Sequence, residues 1–235
     1  MRVLVTRPLS GATRTAERLR ALGHVPLVAP LMTVEPTGEP PPTERFDAIL
    51  VTSANAIPAL ARLDATARAL PIFAPGTRTA RLLREAGLLN VREGGGDANG
   101  LAASLRRSFP PPGALLHVAG RDRKPEPKAS LSAAGYQVTE WIAYAAVPAS
   151  CLPARLRAAL SRREIEAVLH YSHRSAAILR RLAERAGVLE ALGASAQICL
   201  SPDVAEALPG APSLVIASYP GEDAMMEALS QLDCR

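Results

Sequence analysis

Short apolar segments alternate with helix-forming patterns along most of this 235-residue chain, and this alternation limits the possible folds more than any other feature. Residues 3–5, 25–29, 48–51 and 72–74 are apolar runs typical of buried strands, and a weaker one lies near 89–92. Apolar spacing of three and four predicts helices over 12–22, 54–63, 77–86 and 99–107. Strands that alternate with helices predict an α/β fold, in which helices cover a parallel sheet.

The second half of the chain repeats the pattern of the first. When Val3 is aligned with Leu115, Gly23 falls on Gly135. Further matches are 46–50 with 165–169, 73–76 with 198–201, and Leu101 and Leu105 with Met225 and Leu229. Five strand–helix units thus occur twice, which predicts two similar lobes. The alternative is that any two α/β segments look alike at this level.

The composition indicates the class of partner. The formal net charge is +5 and the isoelectric point is about 9.6, which favours acidic partners. Aromatic residues are only 3% of the chain, which disfavours the base stacking used to bind single-stranded nucleic acid. The sequence contains no apolar run of membrane-spanning length and no secretory signal pattern, so we expect a cytoplasmic protein.

Metal and nucleotide motifs are weak in this sequence. Cys151, Cys199 and Cys234 form no paired or metal-ligand spacing, which predicts two buried thiols and one loose terminal thiol. The glycine-rich stretch 94–100 has the wrong spacing and position for a dinucleotide loop. His24 and His117 are interpreted as strand-edge or packing residues. We therefore expect no metal site and no nucleotide-binding loop.

The loops that follow the predicted strands are the candidate site. Ligands of open parallel sheets bind at the carboxyl ends of the strands, so two facing lobes would place these loops on both walls of one cleft. The loops are rich in Ser, Thr, Gly and Arg, and helix N-termini attract carboxylate or phosphate groups. Any single Ser or Thr here can instead cap a helix. The candidate substrate-binding residues are Arg7, Thr52, Ser53, Asn55, Gly76, Thr77, Thr79, Gly120, Arg121, Tyr171, Ser172, Ser175 and Ser201.

Taken in order, several stretches resemble the uroporphyrinogen-III synthase family. They are residues 3–8, 48–56, 74–80, 120–135, 141–144 and 169–175. The resemblance implies two flavodoxin-like lobes, each with a parallel five-stranded sheet flanked by helices. It also implies interleaved domains, with residues 1–33 and 148–235 in lobe 1 and residues 34–147 in lobe 2. The linkers would lie near 32–36 and 145–148; the alternative is two lobes in simple tandem.

The resemblance further implies an enzyme that cyclises hydroxymethylbilane to uroporphyrinogen III, with inversion of ring D, in tetrapyrrole biosynthesis. It implies a monomer without cofactor, metal, nucleic-acid or membrane partners, in transient contact with the preceding pathway enzyme. Tyr144 would be the catalytic residue that helps the substrate hydroxyl to leave; the alternative is a tyrosine that packs between the lobes. Two segments depart from the family pattern, namely the prolines within 124–128 and the turn 201–205. A non-catalytic two-lobed binder of an acidic small molecule is the alternative function.

Overall fold

The structure is a computed structural model that describes residues 1–96 and 98–233. Cys234 therefore lies outside the described residues, as does Asp97 of the glycine-rich stretch. The strands are β1 (Arg2–Val5), β2 (Val25–Val28), β3 (Met32–Pro36), β4 (Ala48–Val51), β5 (Ile72–Ala74), β6 (Val91–Glu93), β7 (Ala114–Gly120), β8 (Gln137–Pro148), β9 (Ala167–His170), β10 (Ala196–Cys199) and β11 (Leu214–Ile216).

The helices follow the same order along the chain. They are α1 (Leu9–Ala21), α2 (Ile57–Leu60), α3 (Ala65–Arg68), α4 (Thr77–Glu85), α5 (Ala98–Ser108), α6 (Lys128–Ala133), α7 (Ala154–Ser161), α8 (His173–Arg185), α9 (Leu189–Gly193), α10 (Pro202–Ala205) and α11 (Glu222–Asp233). A single 3₁₀ turn, Ala54–Ala56, precedes α2, so the helix predicted over 54–63 is shorter and less regular than the apolar spacing suggested.

The chain forms two compact units. Unit 1 contains Met1–Thr33 and the chain from Val147 onward, and unit 2 contains Val34–Ala146. The chain passes from one unit to the other twice, once within β3 and once within β8.

Unit 1 contains a five-stranded sheet in the order β2-β1-β9-β10-β11, with every pairing parallel. Side chains alternate between the two faces of a strand, and both faces of β1 are covered. Leu4 packs in the cluster that contains residues of α7, α8 and α9, whereas Val3 and Val5 pack with residues of α1 and α11. Burial on both faces explains why such a strand reads as a continuous apolar run.

Unit 2 contains a six-stranded sheet in the order β3-β8-β7-β4-β5-β6. The five strands β8, β7, β4, β5 and β6 are parallel. The edge strand β3 runs antiparallel to β8. Thr37 N–H donates to Ala143 O at 3.1 Å and Ala149 N–H donates to Leu31 O at 2.9 Å, so residue numbers rise along β3 as they fall along β8. The prediction of a purely parallel five-stranded sheet is therefore wrong for unit 2, whose sheet is mixed.

The strand orders of the two sheets correspond when the aligned segments of the sequence are compared. The order β2-β1-β9-β10-β11 in unit 1 matches β8-β7-β4-β5-β6 in unit 2, with β3 as an additional edge strand. The two units thus share one arrangement of five parallel strands.

One prediction for the cysteines is also wrong. Cys199 is buried at the end of β10, but Cys151 is exposed in the turn that follows β8. Among residues 1–96 and 98–233, no helix is long and apolar enough to cross a membrane.

Candidate functional site

A cavity of about 420 Å³ lies in unit 2 at the carboxyl ends of its parallel strands. We call it the unit 2 cavity. It is lined by six of the residues predicted from the sequence: Thr52, Ser53, Asn55, Gly120, Arg121 and Tyr144. It is also lined by Val34, Pro75, Gly96, His117, Asp122, Arg123, Lys124, Glu126 and Ala146, which were not among the predicted site residues.

The ring of Tyr144 is held against the backbone of β7. The register between β7 and β8 shifts at Ala119 and Gly120, so that Gly120 lies opposite Tyr144. A Cβ atom on Gly120 would be 2.7 Å from Cε2 of Tyr144, which is far inside van der Waals contact. Arg121 N–H donates to Tyr144 O at 2.9 Å and fixes the same position. The close approach therefore requires glycine at residue 120.

The hydroxyl of Tyr144 is protonated near neutral pH. Burial raises the pKa of Tyr144, and hydrogen bonds with the Ser53 side chain and the Gly120 backbone oppose this shift only in part. A protonated phenol on a cavity wall can donate a hydrogen bond to a leaving group without carrying charge itself.

Ser53 and Asn55 form the tight turn after β4. Ser53 Oγ accepts the Asn55 N–H at 3.2 Å and caps the 3₁₀ turn. Ser53 thus has the capping role that any single serine can have, and it also lines the unit 2 cavity. Arg121, which is exposed, lines the same cavity.

A buried histidine connects the unit 2 cavity to a cluster of charges. The sequence interpretation made His117 a strand-edge or packing residue; it lies in β7, which has a neighbouring strand on each side, and is only 1% exposed. However, its Nε2 lies 3.3 Å from Thr52 Oγ1 and its Nδ1 lies 3.6 Å from Glu140 Oε1. Glu140 accepts hydrogen bonds from Arg123 at 2.8 and 3.0 Å and from Lys128 at 3.0 Å. Sequence signals for these contacts are lacking, because they join different strands and a helix.

Three predicted residues lie beside the unit 2 cavity without lining it. Gly76 precedes α4, and Thr77 and Thr79 belong to its first turn. Gly76 approaches the lining residue Gly96, since a Cβ on Gly76 would be 3.6 Å from Gly96 Cα. The N-terminus of α4 therefore adjoins the cavity wall, while its hydroxyl side chains are outside the lining.

The remaining predicted residues lie in unit 1, after β1, β9 and β10. The Arg7 guanidinium stacks on the Tyr171 ring, 4.1 Å from its centroid, and lies 3.4 Å from Glu222 Oε1. The Tyr171 hydroxyl donates to the same oxygen at 3.0 Å, and Thr15 also donates to it. Burial raises the pKa of Tyr171 to about 12. Arg7 thus already has a carboxylate partner within its own unit.

Of the three predicted serines of unit 1, Ser172 caps a helix with its side chain. Ser172 Oγ accepts the Ser175 N–H at 3.2 Å and donates to Ser175 Oγ at 3.0 Å, which fixes the start of α8. Ser201 occupies the same position before α10 but makes no side-chain capping bond. These loops present hydroxyl and N–H groups of the kind that bind anions.

A cavity with a neutral phenol, hydroxyl groups and arginine at the carboxyl ends of parallel strands is typical of a binding site for an acidic small molecule. Comparison with known proteins narrows this class. The family model described as uroporphyrinogen-III synthase HemD matches residues 13–227, so the chain belongs to the uroporphyrinogen-III synthase family. This membership confirms the resemblance found in the sequence.

Solved structures agree with the family at the level of the fold. The uroporphyrinogen-III synthetase of Helicobacter pylori is 16% identical with a TM-score of 0.64, over 98% of each chain. A mutant uroporphyrinogen III synthase of the extremely thermophilic bacterium Thermus thermophilus is 21% identical with a TM-score of 0.50, over 100% of each chain. No curated protein matches the chain. The chain is an enzyme of this family, which cyclises hydroxymethylbilane, a linear tetrapyrrole, in tetrapyrrole biosynthesis.

Proposed function

We propose that the unit 2 cavity is where this enzyme converts hydroxymethylbilane to uroporphyrinogen III, with inversion of ring D. The observation that carries the proposal is the position of Tyr144. Burial raises the pKa of this phenol and keeps it protonated, and it lies on the wall of a cavity whose lining also contains Arg121, Arg123 and Lys124. The acidic substrate requires cations, and its hydroxyl leaving group requires a hydrogen-bond donor.

The reaction begins with loss of the hydroxyl from the hydroxymethyl group of ring A. Tyr144 donates its proton to this oxygen, which leaves as water, and the pyrrole nitrogen supplies the electron pair that expels it. The resulting azafulvene is attacked by the substituted α-carbon of ring D, which gives a spiro intermediate. Fragmentation and reclosure then invert ring D. No group of the chain needs to bond covalently to the substrate, so the enzyme acts largely by holding both ends of the tetrapyrrole together.

The candidate residues outside the unit 2 cavity are proposed to bind substrate carboxylates. The N-terminal N–H groups of α4, with Gly76, Thr77 and Thr79, are one such group, and Arg7, Tyr171, Ser172, Ser175 and Ser201 of unit 1 are the other. Arg7 would exchange its Glu222 partner for a substrate carboxylate. Neutral hydrogen bonds contribute about 1 kcal/mol each, so these contacts act together rather than singly.

The remaining proposals concern architecture and setting. The corresponding strand orders support two flavodoxin-like lobes related by duplication. We propose that the enzyme works as a cytoplasmic monomer and receives its substrate in transient contact with the preceding pathway enzyme, because hydroxymethylbilane also closes spontaneously to the type I isomer.

The isomer produced in solution tests the function. Hydroxymethylbilane generated enzymatically is incubated with the wild-type chain, and the products are separated as type I and type III isomers. An enzyme yields type III, whereas the alternative, a non-catalytic binder, leaves the spontaneous type I isomer.

Replacement of one hydroxyl tests the site. Tyr144→Phe keeps the ring and its packing but removes the donor, so turnover should fall by about 10²-fold and the share of type I isomer should rise. The matched control is Tyr219→Phe, which removes an exposed hydroxyl of unit 1. Wild-type turnover by Tyr144→Phe would show that the phenol only packs.

A further inference from the structure

His117 has two ring nitrogens in different surroundings. It lies in the interior of β7, and Nε2 faces the Thr52 hydroxyl at 3.3 Å. Nδ1 is buried without a hydrogen-bond partner, 3.6 Å from Glu140 Oε1. Buried polar atoms rarely lack a partner, and those that do require an explanation. A buried imidazole that contacts the lining of an active-site cavity can accept a proton, whereas an apolar packing residue cannot.

Glu140 determines which nitrogen of His117 carries the proton. Arg123 and Lys128 both donate to its carboxylate, and the Arg123 hydrogen bond is the main reason that the pKa of Glu140 falls to about 2. An ionised carboxylate only accepts hydrogen bonds, so it favours the tautomer with the proton on Nδ1. Nε2 is then an acceptor, and the Thr52 hydroxyl donates to it. The lone pairs of Thr52 Oγ1 remain available on the cavity side.

Burial is the main reason that the imidazole of His117 is neutral near pH 7. Burial lowers the pKa of His117, Glu140 raises it, and Arg123 and Lys128 lower it. The other charged or titratable groups that line the same cavity are Arg121, Asp122, Lys124, Glu126 and Tyr144. A neutral imidazole can accept a proton, and the ionised Glu140 stabilises the imidazolium that forms.

We infer that Glu140, His117 and Thr52 form a relay that accepts the proton released when the tetrapyrrole ring closes; this rests on the proposed function of the unit 2 cavity. As the final carbon–carbon bond forms at the unsubstituted α-carbon of ring D, that carbon loses its proton, and the electrons of the C–H bond restore the aromatic pyrrole. The proton passes to Thr52 Oγ1 while the Thr52 hydroxyl proton passes to His117 Nε2.

The proton balance closes with the first step of the reaction. Tyr144 supplies one proton to the departing hydroxyl, which leaves as water, and the relay takes one proton from ring D. The imidazolium then returns a proton through Thr52 and solvent to the Tyr144 phenolate. The substrate has lost one water molecule, and the enzyme is unchanged. His117 acts through Thr52 and is therefore a positioning and relay residue.

The test is His117→Gln. A glutamine amide oxygen can accept the Thr52 hydrogen bond but cannot take up the proton. We expect kcat for type III formation to fall by about 10²-fold with KM nearly unchanged. In the wild-type enzyme kcat should fall along an acid limb centred below pH 6.5, because burial lowers the pKa of His117 from that ordinary value, and this limb should be absent in His117→Gln. Thr52→Val should lower kcat similarly.

His24→Gln is the matched control, because it makes the same chemical change in unit 1 and should leave kcat and its pH profile unaltered. A readout independent of activity is the ¹⁵N spectrum of the histidine side chains. We expect His117 to be the neutral Nδ1–H tautomer at pH 7; an Nε2–H tautomer or a charged ring would overturn the relay.

The outcomes separate the relay from the proposed function. If the wild-type chain produces no type III isomer, the function itself is wrong. If the wild type produces it and His117→Gln retains its kcat and its low-pH limb, only the relay is overturned. If the melting temperature shows that His117→Gln does not fold, the test uses Thr52→Val and the tautomer of His117 in the wild-type protein. A wild-type kcat in Thr52→Val, or an Nε2–H tautomer of His117, overturns the relay.

Discussion

The other buried histidine, His170, should make unit 1 sensitive to mild acid. His170 is fully buried at the end of β9, and its Nε2 lies 2.8 Å from Gln197 Oε1. The Gln197 amide donates to Leu192 O at 2.7 Å and to Ser195 O at 2.9 Å, so its oxygen must accept from His170. Nε2 therefore carries the proton, and the buried Nδ1 has no partner. Protonation would place an uncompensated charge among apolar groups.

The structure gives the size and direction of this effect. Burial lowers the pKa of His170 from 6.5 to about 4. The unfolded state therefore binds the proton more readily than the folded state, so the stability of unit 1 is retained above pH 6.5 and falls as the pH drops from 6.5 to 4. The full effect is about 3 kcal/mol, and about 2 kcal/mol is lost between pH 7.5 and pH 5.

Urea unfolding at several pH values measures the loss. Amide exchange in β9 and β10 reports on unit 1, whereas the fluorescence of Trp141, the single tryptophan, reports on unit 2. The unfolding free energy measured from amide exchange in β9 and β10 should depend strongly on pH. His170→Phe removes the titrating group, so its stability should lose about 2 kcal/mol less than the wild type between pH 7.5 and pH 5. At pH 7.5 this variant should be about 1–3 kcal/mol less stable, because Gln197 Oε1 loses its donor.

The control for this experiment is His173→Gln, which removes an exposed imidazole from the first turn of α8. It should keep the wild-type pH dependence. If the unfolding free energy falls equally with pH in His170→Phe and in the wild type, the reasoning is refuted, since the acid sensitivity would then arise from another group.

Two further substitutions test the geometry of the site. Gly120→Ala would place a Cβ 2.7 Å from the Tyr144 ring, so we expect about 1–3 kcal/mol of destabilisation in a stability assay and a higher share of type I isomer in the product assay. The control is Gly193→Ala, whose added Cβ would have its nearest neighbour atom at 4.0 Å, and it should change neither quantity. Glu222→Gln weakens the internal partner of Arg7, so steady-state kinetics should show a lower KM with kcat unchanged; a raised KM would mean that Glu222 instead holds Arg7 in its binding position.

The sequence by itself determined the α/β fold and several strand positions. The strands predicted over 48–51 and 72–74 match β4 and β5, because a strand buried on both faces must be apolar at every residue. The edge strand β3 was missed because most of its residues are exposed and proline ends it, so it has no apolar run. The composition of the loops after the strands also predicted Ser53 and Gly120 as site residues, and both line the unit 2 cavity.

Only the tertiary structure decided which of these residues meet. The contact of His117 with Thr52 joins residues 65 positions apart, and that of Arg7 with Glu222 joins residues 215 positions apart. From sequence, a histidine between apolar residues of a strand is interpreted as a packing residue. The apolar pattern predicts that the strand is buried, but it does not predict which side chains of other strands contact the histidine. Which side chains face one another across a sheet depends on strand order and register, and these are set by the packing of the whole unit.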